Sequence, residues 1–214
     1  MNVAVARSAY AERSASAAPM PTLRDDLRQI AAWIADSARV LDLGCGDGTL
    51  MAYLRESRAA RVYGVEIDDE SVLHCVRRRL SVIQADLESG LRMFPDQMFD
   101  TVVLSQTLQA MHKTEAVLHE MARVGRQGIV SFPNFGHWRH LTSLLAGRMP
   151  VSPQMPYQWY DTPNVHLCTP KDFEILAGRL GLVITGRALL ANGQPVRVLP
   201  NLRSKLAVYR FEPK

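Results

Sequence analysis

Residues 40–50, "VLDLGCGDGTL", place an apolar run directly before glycines at 44, 46 and 48. Val40, Leu41 and Leu43 suit a buried strand, and three alternate glycines allow a sharp turn that side chains would obstruct. Thr49 and Leu50 open a helical stretch, so the segment reads as strand, tight turn, helix. The same unit recurs along the chain. Strand-like "RVYGVEI" (61–67), "LSVIQA" (80–85), "FDTVVL" (99–104) and "QGIVSF" (127–132) alternate with helical stretches near 49–56, 69–79 and 113–124. Strands that are apolar on both faces and separated by helices predict a parallel sheet covered on both sides.

The flanks complete the pattern. "TLRDDLRQIAAWIADS" puts Leu23, Leu27, Ile30, Ala31 and Ile34 on one helical face, and Thr22 followed by Asp25 resembles a capping box. Towards the C-terminus, "TPKDFEILAGRLG" predicts a helix with Thr169 at its N-cap and Gly181 just past its end. "LVITGRALL" and "KLAVYRFE" follow as strands with no helix between them, so they are expected to pair antiparallel across a loop at 191–204. The expected fold is α/β and doubly wound, a mostly parallel seven-stranded sheet with a C-terminal antiparallel strand pair.

Residues 1–19 are rich in Ala and Ser and read as a disordered leader, with Met20 as an alternative start. Residues 20–214 read as one domain, carrying a Pro- and aromatic-rich insertion at about 133–168 with no clear period. No apolar run approaches the roughly 20 residues that span a bilayer, and the start lacks the apolar core of a secretory signal. Three cysteines, 45, 75 and 168, form no C-x-x-C pair, which argues against a disulfide framework or a metal site. A cytoplasmic protein is expected. The net charge of +4 is scattered along the chain and gives no sign of nucleic-acid or membrane binding.

The ligand of the glycine turn is read from the acids around it. A dinucleotide places its pyrophosphate at the helix N-terminus, but here Asp42 precedes the turn and Asp47 lies within it, so two carboxylates would repel a phosphate. The third glycine also comes one residue earlier than in the dinucleotide fingerprint. Glu66 ends the second strand, 22 residues after Gly44, where a carboxylate can accept two ribose hydroxyls, and Asp86 ends the third. Acids at three successive strand ends suit an adenosine bearing a positive centre and an ammonium, which is S-adenosylmethionine.

"VLDLGCGDG", "VYGVEID", "VIQADL" and "FDTVVLSQTL" resemble, in order and spacing, the motifs of class I S-adenosylmethionine-dependent methyltransferases, with their Rossmann-like fold. By that resemblance Asp42 and the loop at Gly44, Gly46 and Gly48 hold the methionyl part, and Glu66 the ribose. Ile67 flanks the adenine, Asp86 and Leu87 meet its edge, and Ser105 lines the floor. "VGRQGIVSFPNFGHW", "GRMPVS", "PYQWYDTPNVHLCT" and "DFEIL" extend the likeness to the MetW family of methionine biosynthesis proteins, over nearly all of the chain from Met20. That resemblance implies an accessory role beside homoserine O-acyltransferase, with S-adenosylmethionine or S-adenosylhomocysteine as cofactor. The alternative is an independent methyltransferase acting on a small-molecule oxygen or carbon acceptor.

No catalytic residue is assigned. Methyl transfer needs positioning and, for weakly acidic acceptors, a base. The Asn/Asp-Pro-Pro-Tyr turn common in amino methyltransferases is replaced by "SQTLQ". Candidate bases are His112, His137 and His166, with Tyr157, Tyr160 and Asp161 near the last. Cys45 and Cys168 read as small buried hydrophobes, and the arginines of "VRRRL" (76–80) as a solvated helix end. Within the insertion, "HLTSLLAG" predicts a short helix with Leu141, Leu144 and Leu145 on one face and Gly147 ending it. The insertion is expected either to roof the sheet or to cover the cofactor cleft and present its outer surface, including Trp159 and Tyr160, to the partner.

Overall fold

A computed structural model describes residues 23–214, so the expected leader and Thr22 lie outside the described residues. The elements run α1 (Asp25–Trp33), β1 (Arg39–Leu43), α2 (Thr49–Arg58), β2 (Arg61–Glu66), α3 (Asp69–Arg77), β3 (Ser81–Gln84), β4 (Phe99–Ser105), α4 (Thr114–Val124), β5 (Gly125–Pro133), α5 (Trp138–Leu145), α6 (Pro170–Arg179), β6 (Leu182–Ala191), β7 (Gln194–Pro195), α7 (Pro200–Arg203) and β8 (Leu206–Pro213). One sheet holds all the strands in the order β3-β2-β1-β4-β5-β8-β6-β7. β1 to β5 are parallel, and β8 runs antiparallel between β5 and β6. The doubly wound fold with its antiparallel C-terminal pair is as the periodicity predicts.

The short strand β7 was not foreseen. Asn192 and Gly193 both adopt positive φ, 51° and 74°, and turn the chain back so that Gln194 and Pro195 pair with Ala191 and Leu190. A two-residue Asn-Gly step is a hairpin signal, and it lay within the stretch read as loop.

Alternation of side chains along the strands sorts the core into two layers. Leu41, Val102, Leu104, Val130 and Tyr209 face Leu118 and Met121 of α4 and Phe173 of α6. Val40, Val103, Ile129 and Val208 face the other way, towards Leu27 and Ile30 of α1 and Leu50 and Leu54 of α2. Thr169 caps α6 as expected, and Asp172 completes a full capping box with it. α1 is shorter than its pattern, and its N-cap Arg24 has no side-chain cap bond, while Asp25 pairs with Arg28. Among the described residues, no helix is long and apolar enough to cross a membrane.

Candidate functional site

β1 delivers the chain to the C-terminal edge of the sheet, where Gly44, Gly46 and Gly48 all take left-handed φ, +66°, +54° and +75°. The amides of Gly44 and Cys45 donate to the carbonyl of Val65, so the turn leans on β2. Gly48 begins α2 in tight quarters: a Cβ there would lie 2.4 Å from Leu80 Cδ1 and 2.9 Å from Cys75 Sγ. At Gly46 a Cβ would meet nothing within 4 Å. One glycine is required by packing, and the other leaves open space beside its backbone.

The open space belongs to a cavity of about 400 Å³ whose wall includes Arg24, Asp42, Gly44, Gly46, Asp47 and Ser105. Asp42 is 2 % exposed, and its carboxylate makes no hydrogen bond among the described residues. Burial pushes its pKa up to about 7, with Arg24 opposing and Glu66 adding to the rise. Such burial disfavours the ionised carboxylate unless an opposite charge is supplied. Asp47 turns away from that role. Its carboxylate accepts the Thr49 amide at 3.0 Å and the Thr49 hydroxyl at 2.8 Å, occupying the first turn of α2 where a phosphate would sit.

Glu66 stands one strand over. Its Oε2 accepts the Gly46 amide at 2.7 Å, and its Oε1 accepts the amides of Ile67 at 2.8 Å and Asp68 at 3.1 Å. A carboxylate has about four acceptor sites, so capacity for a ligand remains. Of the expected site residues, Asp42, Gly44, Gly46 and Ser105 line the cavity together. Gly48, Glu66, Ile67, Asp86 and Leu87 do not border it. Ile67 is exposed, Asp86 caps a short 3-10 turn by accepting the Glu88 amide at 2.9 Å, and Leu87 packs into the core.

Two residues at the start of α1 were missed. Arg24 reaches the cavity mouth and donates to Ser105 Oγ at 3.0 Å, while also pairing with Asp26 at 3.3 Å. Asp26 is fully buried. Its Oδ2 accepts from Ser131 Oγ at 2.8 Å, Gln106 Nε2 at 3.0 Å and Ser105 Oγ at 3.1 Å. The signal was present in the sequence, because position 26 falls on the same helical face as Leu23, Leu27 and Ile30. An acid on an apolar stripe needs partners.

The other candidates fall elsewhere. His112 and His166 line a separate cavity of about 580 Å³ with Lys113 and Phe173, and Tyr157, Tyr160 and Asp161 are exposed. His137 is buried and caps α5. None borders the cavity beside Gly46. The thiols of Cys45 and Cys75 sit 3.9 Å apart, and burial raises the pKa of both. Burial also lifts Cys168 to about 12, so none of the three thiols is activated. Arg78 is more than a solvated helix end: its Nη1 donates to the Asp47 carbonyl at 3.0 Å and braces the glycine turn.

The insertion does not wall the cavity at the glycine turn. α5 forms where expected, with Gly147 at φ +73° just beyond its end. Its leucines face outward: Leu145 is 88 % exposed, and Trp138, Leu141 and Leu144 are exposed beside it, while His140 is the buried residue. Trp159 and Tyr160 are also exposed and cross edge to face. Neither roofs the sheet.

Comparisons with known proteins agree with the fold and narrow the family. A methyltransferase from Mesorhizobium loti, described as S-adenosylmethionine dependent, superposes with a TM-score of 0.67 at 15% identity, covering 88% of this chain and 97% of that one. The [4+2]-cyclase SpnF superposes at 0.64 with 17% identity, covering 88% and 81%. The fold therefore hosts more than one chemistry. A bifunctional methionine biosynthesis protein MetXA/MetW from Rhodopirellula baltica is 38% identical over 205 residues, covering 89% of this chain and 33% of its own length. The chain spans about a third of the length of the curated relatives it matches. Residues 24–211 match the family described as methionine biosynthesis protein MetW. With the glycine turn, the strand-end acids and the antiparallel C-terminal strands all in place, the chain belongs to the MetW family.

Proposed function

We propose that the chain is a methyltransferase-like accessory protein of methionine biosynthesis that binds S-adenosylmethionine, or S-adenosylhomocysteine, beside Gly46 and acts with homoserine O-acyltransferase. Asp42 carries the ligand reading. It is a buried carboxylate with no hydrogen-bond partner among the described residues, facing a cavity that has Arg24 at its mouth. A carboxylate and a guanidinium on one wall complement the ammonium and carboxylate of an amino-acid head group. The open space at Gly46 accommodates a ligand against the backbone, and Glu66 retains acceptor capacity for a ribose at the far side of the turn. When bound, S-adenosylmethionine supplies an electrophilic sulfonium methyl. The residues of this chain bind and orient its amino-acid end.

The partner reading rests on the relative in which a MetXA and a MetW protein are one polypeptide, MetX being a homoserine acetyltransferase. Exposed Trp138, Leu141, Leu144 and Leu145 support it, since such an apolar helix face marks an interaction surface. The test is co-expression of tagged chain with untagged homoserine O-acyltransferase, followed by purification with and without S-adenosylmethionine. Co-purification that is lost on the double substitution Leu141→Glu with Leu145→Glu, with folding intact, is the expected result. Absence of the acyltransferase from the wild-type eluate under both conditions would overturn the partnership.

A further inference from the structure

A second cavity, of about 470 Å³, lies between α5 and residues 151–154, with Lys205 closing one side. Its wall shares no residue with the cavity beside Gly46 and, among the described residues, contains no carboxylate. Two cations face it. Arg139 has no ion-pair partner among the described residues and stacks over the Trp138 ring at 5.3 Å. Lys205 is likewise outside any ion pair there, its ammonium donating only to Asn192 Oδ1 at 2.7 Å. On the rim the hydroxyls of Thr142 and Ser143 donate to the Arg139 carbonyl at 2.9 and 3.0 Å, while that of Ser152 accepts the Met155 amide at 3.3 Å and keeps its own proton to donate.

His137 sets the sign of the site. The ring is 5 % exposed, and its Nδ1 accepts the Arg139 amide at 3.3 Å, capping α5. With Nδ1 used as an acceptor, the neutral ring carries its proton on Nε2. Nε2 makes no hydrogen bond among the described residues, so it is a donor without an acceptor in a buried ring on the cavity wall. Burial and the neighbouring charges of His140, Lys205 and Arg139 hold the ring's pKa below the usual value. A neutral N–H donor, an ammonium, a guanidinium and the Ser152 hydroxyl converge where no acid competes.

We infer that this cavity is a binding site for a small anion bearing acceptor oxygens, a carboxylate or a phosphate ester, distinct from the cavity at the glycine turn. It requires neither methyl transfer nor a partner protein. Cations and a fixed imidazole donor around an acid-free cavity are what such oxygens need, because charge-assisted hydrogen bonds to them are short and strong.

The test titrates inorganic phosphate and acetate, separately, into the isotope-labelled full chain. The imidazole signals of His137 are followed against those of His119, which is exposed on α4. Saturable movement of the His137 signals with His119 unmoved is expected. A response to phosphate alone assigns the site to phosphate esters, and one to acetate alone to carboxylates. Lys205→Gln and Arg139→Gln are each expected to weaken binding roughly fivefold or more. His137→Asn keeps a good helix cap while removing the imidazole, and is expected to weaken binding likewise. If Lys205→Gln unfolds, the exposed Arg139 carries the test. Unmoved His137 signals at tens of millimolar of both anions, or unchanged affinity in the folded variants, would overturn the assignment.

Discussion

The Glu66 carboxylate accepts the Gly46 amide at 2.7 Å, so a side chain at the end of β2 holds the middle of the turn that follows β1. The same group also accepts the two amides that follow it. Glu66→Ala is therefore expected to act twice. It lowers the melting temperature of the ligand-free protein by stranding three amides, and weakens S-adenosylmethionine binding by about 1.5–3 kcal/mol. Calorimetric titration and thermal unfolding on the same samples check both. Glu66→Gln keeps one acceptor oxygen and is expected to lie between.

Asp42 makes binding and stability depend on pH with opposite signs. Folding raises its pKa from the ordinary 3.8 to about 7, so between those values the folded chain holds a proton that the unfolded chain has released. Its contribution makes stability fall as pH rises across that window and level off above it. An ammonium ligand prefers the ionised carboxylate, so S-adenosylmethionine affinity is expected to climb as pH approaches 7 and then plateau. Titrations at pH 5.5 to 8 in buffers of different ionisation enthalpy would read the released proton directly. Asp42→Asn is expected to flatten both profiles.

The middle and the end of the glycine turn are expected to respond differently to the same substitution. Gly48→Ala forces a methyl into Leu80 and Cys75 at a left-handed backbone and is expected to cost about 2–3 kcal/mol of stability. Gly46→Ala meets no neighbour, so its stability cost is only the roughly 1 kcal/mol of the left-handed backbone. Its methyl takes up the open space beside the backbone, and S-adenosylmethionine affinity is expected to fall further than stability. Urea unfolding and calorimetry separate the two effects.

Asp26→Ala removes the acceptor shared by Ser105, Gln106 and Ser131 and leaves Arg24 without its carboxylate. Stranding these donors, the fully buried Ser131 hydroxyl among them, is expected to cost about 1–3 kcal/mol, read from the urea midpoint. Because Arg24 and Ser105 also border the cavity, ligand affinity is expected to fall with it.

Much of this arrangement was legible because period and punctuation agree. Val102, Val103 and Leu104 read as a strand apolar on both faces and divide between the two core layers. Thr169 is legible as the N-cap of α6, and the structure adds the reciprocal bond from Asp172 three residues on. Glu66 was readable as a strand-end acid, but its hold on the Gly46 amide comes from the tertiary proximity of two neighbouring strand ends. α5 shows a different limit. The spacing of Leu141, Leu144 and Leu145 fixes which residues share a face but not where the face points, and here it points outward while His140 is buried. Arg24 and Arg78 were hard to place because long side chains reach partners far along the chain.

The most direct measurement is the rate of homoserine acylation by homoserine O-acyltransferase, with and without this chain and with and without S-adenosylmethionine, alongside an assay of methyl transfer by the chain alone. The chain is expected to raise acyltransferase activity or lifetime while it transfers little methyl to small hydroxyl or carboxyl acceptors. An acyltransferase indifferent to the chain in both rate and stability, together with robust methylation of any metabolite, would contradict it.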